Sequence, residues 1–197
     1  MLSDNNAITL HSYDAGIKEY VEKSPAEVTE DFKPWVDKTL ALLAKSARIF
    51  EIGSGFGRDA RYMESHGFNV QRSDAALGFV TFLKKEGYDA HLFNAVTDDF
   101  GGPYDLIFAN AVFLHFTQEE LEKILVKTRA SLSPNGLLSF SIKQGQGEEW
   151  ESVKLGHPRY FRYWRCEDMI TLLNFKGFAV LETFHNAVFS CFIAQVY

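Results

Sequence analysis

Apolar positions along the chain follow two alternating rhythms, and their alternation predicts a fold class before any motif is considered. From Tyr13 to Lys23 and from Ala26 to Lys45, apolar residues such as Phe32, Val36, Leu40 and Leu43 recur at helical spacing within polar text, with Pro25 as the break. This spacing predicts two N-terminal helices. Ala47 to Ile52 is instead a compact run of strand formers, followed by a glycine-rich loop and a helical stretch from Arg58 to His66 that Gly67 stops.

The same alternation then repeats. Asn69–Ser73, Ala90–Phe93, Tyr104–Ala109 and Leu137–Ile142 are predicted strands, with helices over Leu77–Glu86 and Gln118–Leu132, the latter closed by Ser-Pro-Asn-Gly at 133–136. A last helix, Cys166–Phe175, precedes two strands, Ala179–Phe184 and Val188–Val196, close enough to form a hairpin. Strands alternating with helices imply right-handed βαβ crossovers and a mostly parallel sheet covered on both faces, hence an α/β protein. Ligands of such sheets bind beyond the carboxyl ends of the strands. No repeat, low-complexity tract or linker interrupts residues 1–197, which are expected to form a single domain whose N-terminal helices, residues 1–45, cover the site.

Composition narrows the partners. The 197 residues carry a formal net charge of −6, which disfavours nucleic-acid binding by bulk charge. No apolar run reaches the roughly 18 residues a membrane span requires, and no basic-then-apolar leader opens the chain. The two cysteines, Cys166 and Cys191, carry neither a disulfide framework nor zinc-ligand spacing. A soluble cytoplasmic protein without a metal, monomeric or weakly dimeric, is expected. The 18 Phe residues suit a large core, although aromatic-lined pockets draw on the same residue.

Glu51-Ile52-Gly53-Ser54-Gly55-Phe56-Gly57 joins the first strand to its helix, so glycines stand where backbone must approach a ligand. A dinucleotide loop would place its third glycine at position 58, where this chain has Arg58. Glu51 would repel a phosphate but suits a ligand bearing an ammonium and a sulfonium. Asp74 lies 21 residues after Gly53, at the end of the second strand, where an acid can accept from both hydroxyls of a ribose. Singly, Glu51 could be a surface carboxylate and Asp74 a helix cap. Together, on consecutive strand ends, they favour a nucleoside ligand.

These residues resemble the class I S-adenosylmethionine-dependent methyltransferases, whose first motif has the form acid-x-Gly-x-Gly-x-Gly. The resemblance extends through Tyr13-Asp14 and Tyr20, the Tyr104-Asp105-Leu106-Ile107 strand and the turn at 132–136, and is nearest to small bacterial stand-alone enzymes acting on small molecules. It implies a Rossmann-like seven-stranded sheet in the order 3-2-1-4-5-7-6, with strand seven antiparallel and helices on both faces. It implies a cofactor site made of Tyr13, Gly53, Ser54, Gly55, Gly57 and Arg58, with Glu51 supporting the amino group through the loop. Asp74 would hold the ribose, Ala75 would stack near the adenine, and Asn110 and Ala111 would close the site. Where many relatives carry Asp after the third strand, this chain has Asn94-Ala95, and Asn offers one acceptor oxygen in place of a carboxylate.

The acceptor side is less specific. Asn110-Ala111-Val112-Phe113 lacks the prolines of the amino-methyltransferases of bases and glutamine, which argues against nucleobase methylation. His115 is the candidate catalytic residue, as a general base; with no partner visible in the sequence, a pocket wall or cofactor contact is the favoured alternative. Residues 143–149 are polar and glycine-containing, either a lid or a solvated connection. Residues 157–165 place three arginines and four aromatics in nine positions; converging arginines would recognise an anionic acceptor, while outward ones would form a solubilising rim. Tyr20, Phe113, Lys143, Arg159, Tyr160 and Arg162 are the expected substrate contacts. The expected activity is methyl transfer to a small molecule by in-line displacement. A non-catalytic adenosylmethionine or adenosylhomocysteine binder, and a protein or RNA methyltransferase, are the alternatives.

Overall fold

The computed structural model describes residues 4–197. Five strands run parallel in its main sheet: β1 (Arg48–Ile52), β2 (Asn69–Asp74), β3 (Ala90–Leu92), β4 (Tyr104–Ala109) and β5 (Leu132–Lys143). Two further strands, β8 (Phe178–His185) and β9 (Phe189–Val196), form the expected hairpin, with β9 antiparallel between β5 and β8. The order β3-β2-β1-β4-β5-β9-β8 is the implied 3-2-1-4-5-7-6 topology. β1 and β4 are adjacent at the centre, where the strand order reverses and their carboxyl ends open a crevice.

The period-two pattern assigns side chains to two cores. Phe50, Ile52, Ile107, Leu138 and Phe140 face one way, toward α6 (Gln118–Ser131) and α7 (Cys166–Phe175). Ile49, Leu106, Phe108 and Leu137 face the other, toward α3 (Lys33–Ala41) and α4 (Arg58–Ser65). Much of the phenylalanine content is accounted for here: Phe140 stacks on Phe192 and Phe50 on Tyr104. Thr117 and Glu120 close a reciprocal capping box at the start of α6.

The N-terminal region differs from the expectation. Helix α1 spans Asp4–Ala15 and α2 spans Ile17–Glu22, so the first helix begins well before Tyr13. Its buried residues are Asn6, Thr9 and Ser12, a polar stripe at helical spacing that an apolar-period reading passes over. Hydrogen bonds hold this helix down: Asn94 Nδ2 donates to Asn6 Oδ1 (2.9 Å), Tyr160 N to Thr9 Oγ1 (3.0 Å), and Ser12 Oγ to Pro158 O (2.6 Å). The second predicted helix shortens to α3, because Pro34, which has no N–H to donate, fits only its first turn.

Residues 144–149 are exposed, as a solvated connection would be, but from Gly147 they are strand and not loop. They lead into a ribbon of β6 (Gly147–Glu151) and β7 (Arg159–Tyr163), in which Glu148 pairs with Arg162 and Glu151 with Arg159 across the strands. The acids of one strand thus meet the arginines of the other, which neither segment showed alone. Among the described residues no helix is long and apolar enough to cross a membrane.

Candidate functional site

Loops from four adjacent strands converge under α1. Gly53 and Gly55 follow β1, Asp74 and Ala75 end β2, Asn94 and Ala95 follow β3, and Asn110 and Ala111 follow β4; all line one cavity. Tyr13, Tyr20, Phe79 of α5 (Leu77–Lys85) and His115 complete its wall, with Asn6, Thr9 and Leu10 contributed by α1.

The glycine loop explains its own sequence. Gly53, at φ 70°, lies so close to Val112 that a Cβ would fall 2.4 Å from its Cγ2. Gly55, at φ 54°, donates its N–H to Asp74 Oδ2 (2.8 Å), and a Cβ there would meet only Tyr20, at 3.8 Å. The third glycine has another task. Gly57 precedes α4 outside the cavity, and its missing Cβ leaves room for Leu83 Cδ2, which would lie 2.8 Å away. It permits helix packing, which corrects its expected place in the cofactor site.

Asp74 anchors the turn before α5 and borders the cavity, but it is not the cap of that helix, whose N-cap is Ala76. Its Oδ1 accepts from Ala76 N (2.9 Å) and its Oδ2 from Gly55 N, while the carboxylate borders the cavity. Burial raises its pKa to about 6, against the pull of those backbone donors. Glu51 is not a surface carboxylate: it is 2 % exposed, and its Oε2 has no hydrogen-bond partner among the described residues. Burial, and then the nearby Asp59 carboxylate, push it up to about 8, moderated by the Ser54 hydroxyl, Arg72 and Arg58. Glu51 stands behind the loop and outside the cavity wall.

Asn94 uses its Oδ1 to accept from Val96 N (3.0 Å) and its amide nitrogen to hold Asn6. Asn110 bridges two partners: Ser141 Oγ donates to its Oδ1 (2.6 Å), and its Nδ2 donates to Asp59 Oδ2 (2.9 Å). Ala111, at φ 57°, donates its N–H to the same Ser141 hydroxyl, which holds this left-handed turn at the mouth of the crevice.

The geometry at His115 favours the wall over the general base. His115 is 8 % exposed; its Nδ1 lies 2.7 Å from the Tyr160 carbonyl, so Nδ1 carries the proton and donates. Nε2 then accepts from Tyr13 Oη at 2.7 Å. Burial lowers the imidazole to about 3, leaving it neutral with both nitrogens engaged. Tyr13 Oη also accepts from Arg159 Nη1 (3.2 Å), and Arg159 pairs with Glu151. This chain of contacts ties α1 to the ribbon.

A second cavity of about 290 Å³ lies on the other side of the loop. It shares Tyr20, Gly53, Gly55, Asn110 and Ala111 with the first, and adds Ser54, Arg58, Asp59 and Lys154. Arg58 is bound bidentately to Asp59, at 2.8 and 3.2 Å.

Of the expected substrate contacts only Tyr20 lines either of these two cavities. Phe113 is fully buried in the core, with Phe140 beside it. Lys143 Nζ rests over the Phe161 ring at 3.8 Å. Arg159 and Arg162 are consumed by Glu151 and Glu148, and the Tyr160 ring packs against Trp150. None of these five borders either cavity. Conversely, Asp59 and Lys154 gave no sequence signal, whereas the polar stripe of α1 was visible had helices with polar faces been considered.

A methyltransferase-domain family model matches residues 24–183, and no match is found among curated proteins. Similar solved structures include the Burkholderia thailandensis 1,6-didemethyltoxoflavin-N1-methyltransferase with bound 1,6-didemethyltoxoflavin and S-adenosylhomocysteine (TM-score 0.76, 15% identity, 100% of this chain and 91% of that one). The CcbJ methyltransferase of Streptomyces caelestis aligns at TM-score 0.73 and 15% identity, over 94% of this chain and 98% of that one. The magnesium protoporphyrin IX methyltransferase of Synechocystis PCC 6803 aligns at TM-score 0.72 and 15% identity, over 100% of this chain and 99% of that one. With the family model spanning most of the chain and the strand order and glycine loop in agreement, this chain belongs to the class I S-adenosylmethionine-dependent methyltransferases.

Proposed function

We propose that this methyltransferase acts on a small-molecule acceptor, with the adenosine of S-adenosylmethionine in the cavity under α1. The convergence of Gly53, Gly55, Asp74, Asn94 and Asn110 on that one cavity carries the reading. The chemistry of the donor set fits: Asp74 offers carboxylate oxygens to a ribose diol, and the backbone at Gly55 is bare toward the cavity. The buried, unpartnered Oε2 of Glu51 suits a cationic amino group held across the loop. Asn94 Oδ1 has a second lone pair for an adenine amine.

When bound, S-adenosylmethionine supplies an electrophilic methyl on a sulfonium with a neutral thioether as leaving group. The protein's share is alignment and exclusion of water. Asn110 and Ala111, fixed by Ser141 and Asp59, set the floor between the two cavities. Tyr13 and His115 keep a neutral, fully bonded wall. With α1 in place the first cavity holds about 80 Å³, whereas nucleoside-sized ligands need about 300 Å³ or more. A ligand of that size therefore requires the walls of this cavity, α1 among them, to move, against the hydrogen bonds of Asn6, Thr9, Ser12 and Tyr13 and the packing of the Tyr13 ring. The loss of the expected arginine site and the absence of a free basic face in the ribbon support a small acceptor over a protein or RNA.

Isothermal titration with S-adenosylmethionine, S-adenosylhomocysteine and NAD tests the reading. Micromolar binding of the first two and none of NAD is expected. A folded protein that binds neither adenosyl ligand refutes it.

A further inference from the structure

Four aromatic rings line the second cavity, and among the described residues one cation in it has no acid within ion-pair distance. Tyr20, Phe32, Phe56 and Phe189 line it, together with the Lys154 ammonium and the Arg58 guanidinium. Arg58 is matched by Asp59, and Arg159 behind it by Glu151. Lys154 differs. Among the described residues no carboxylate lies within ion-pair distance of its Nζ, which donates to Ser24 Oγ (2.7 Å) and sits 3.9 Å from the Tyr20 ring centroid. A half-buried ammonium in an aromatic pocket has lost hydration that a hydroxyl and a ring restore only in part. The charges around it, Lys23, Arg58 and Arg159 against Asp59 and Glu151, leave the pocket positive within an acidic protein.

Resting on the proposed function, we infer that this cavity takes the methyl acceptor and that the acceptor is a flat, largely apolar molecule carrying an anionic, carboxylate-type group read by Lys154. The place is right for transfer, because Gly53, Gly55, Asn110 and Ala111 form a floor common to both cavities. Arg159 and Arg162, which could have read an anionic group or formed an outward rim, are paired with Glu151 and Glu148 in the ribbon, which leaves Lys154 as the available cation of this cavity. Burial, with Arg159 and Arg58 close by, lowers Lys154 to about 8, so the ammonium remains the dominant form at neutral pH.

The test uses the full chain, with thermal unfolding to confirm that variants fold. Protein saturated with S-adenosylhomocysteine is titrated with 2-naphthoate and with its uncharged isostere 2-naphthamide, in wild type, Lys154→Met and Lys154→Arg. Wild type is expected to prefer the carboxylate at least tenfold, Lys154→Met to reduce that preference to within twofold, and Lys154→Arg to keep most of it. Absence of a preference in wild type, or one that survives in Lys154→Met, overturns the inference. S-adenosylhomocysteine and 5′-methylthioadenosine, which lacks the amino-acid tail, are titrated in parallel. If Lys154→Met weakens only the former, Lys154 reads the cofactor's own carboxylate and the inference is again overturned. Failure of wild type to bind S-adenosylhomocysteine would instead strike at the proposed function itself.

Discussion

Replacing Glu51 by Gln should stabilise the ligand-free protein while impairing its response to a cationic ligand. The carboxyl has an ordinary value of 4.5 and about 8 in the fold. Its folded pKa is therefore raised, the reverse of the usual acid, so unfolding releases a proton throughout that window and stability falls as pH rises. Each pH unit in the window removes about 1.4 kcal/mol, amounting to about 1 kcal/mol at pH 5 and about 3 kcal/mol at pH 7, and levelling off above the folded value. Gln removes this slope, with a constant offset from the altered hydrogen bonding of Oε2 that does not vary with pH. Urea denaturation of both proteins at pH 5 and pH 7 should thus show a difference that grows by about 2–3 kcal/mol in favour of the variant. Parallel stability curves, within about 0.5 kcal/mol, would refute the assignment of Glu51 as a buried, mostly protonated acid. The same protonation predicts that S-adenosylmethionine, through its ammonium, expels close to one proton on binding at pH 7. Calorimetry in buffers of different ionisation enthalpy reads that release, and Glu51→Gln should abolish it.

Other outcomes follow from the same geometry. Asp74→Ala should weaken S-adenosylhomocysteine binding by about 1–3 kcal/mol through loss of its hydrogen bonds; unchanged affinity in calorimetry would remove Asp74 from the site. Gly55→Val should abolish that binding because its side chain enters the cavity, while Gly57→Ala, which collides with Leu83, should lower the melting temperature and leave the affinity of the folded fraction nearly intact; equal losses of affinity would contradict the division of labour within the loop. For His115, whose folded pKa is depressed to about 3, NMR should find a neutral Nδ1–H tautomer with no titration between pH 5 and 8. Its contribution to stability is present above its ordinary value of 6.5 and is lost as pH falls toward 3. A His115 resonance titrating near neutrality would return the general-base reading.

The alternation of periods along the chain was enough for an α/β sheet, and the spacing of Glu51, Gly53, Gly55 and Asp74 for a nucleoside ligand, because these depend on local order: a strand end, a turn with positive φ, and an acid on the next strand. Helix α1 was only half legible, since Asn6, Thr9 and Ser12 face inward and are satisfied by Asn94, Tyr160 and Pro158, residues remote in sequence. Gly57 looked like its neighbours in the loop, and only the position of Leu83 reveals that it serves packing. The arginines at 159 and 162 carried the right charge, but the register of β6 on β7 set Glu151 and Glu148 opposite them. The same folding left Lys154 without an ion-pair partner among the described residues. Sequence by itself determined the fold class and a nucleoside ligand, which rest on short-range periodicity and spacing, while the methyl-donor cofactor came with the family resemblance of the same residues. Tertiary structure decided which charges are neutralised and which side chains face the cavities, because ion pairing and burial depend on strand register and on contacts between residues far apart in the chain.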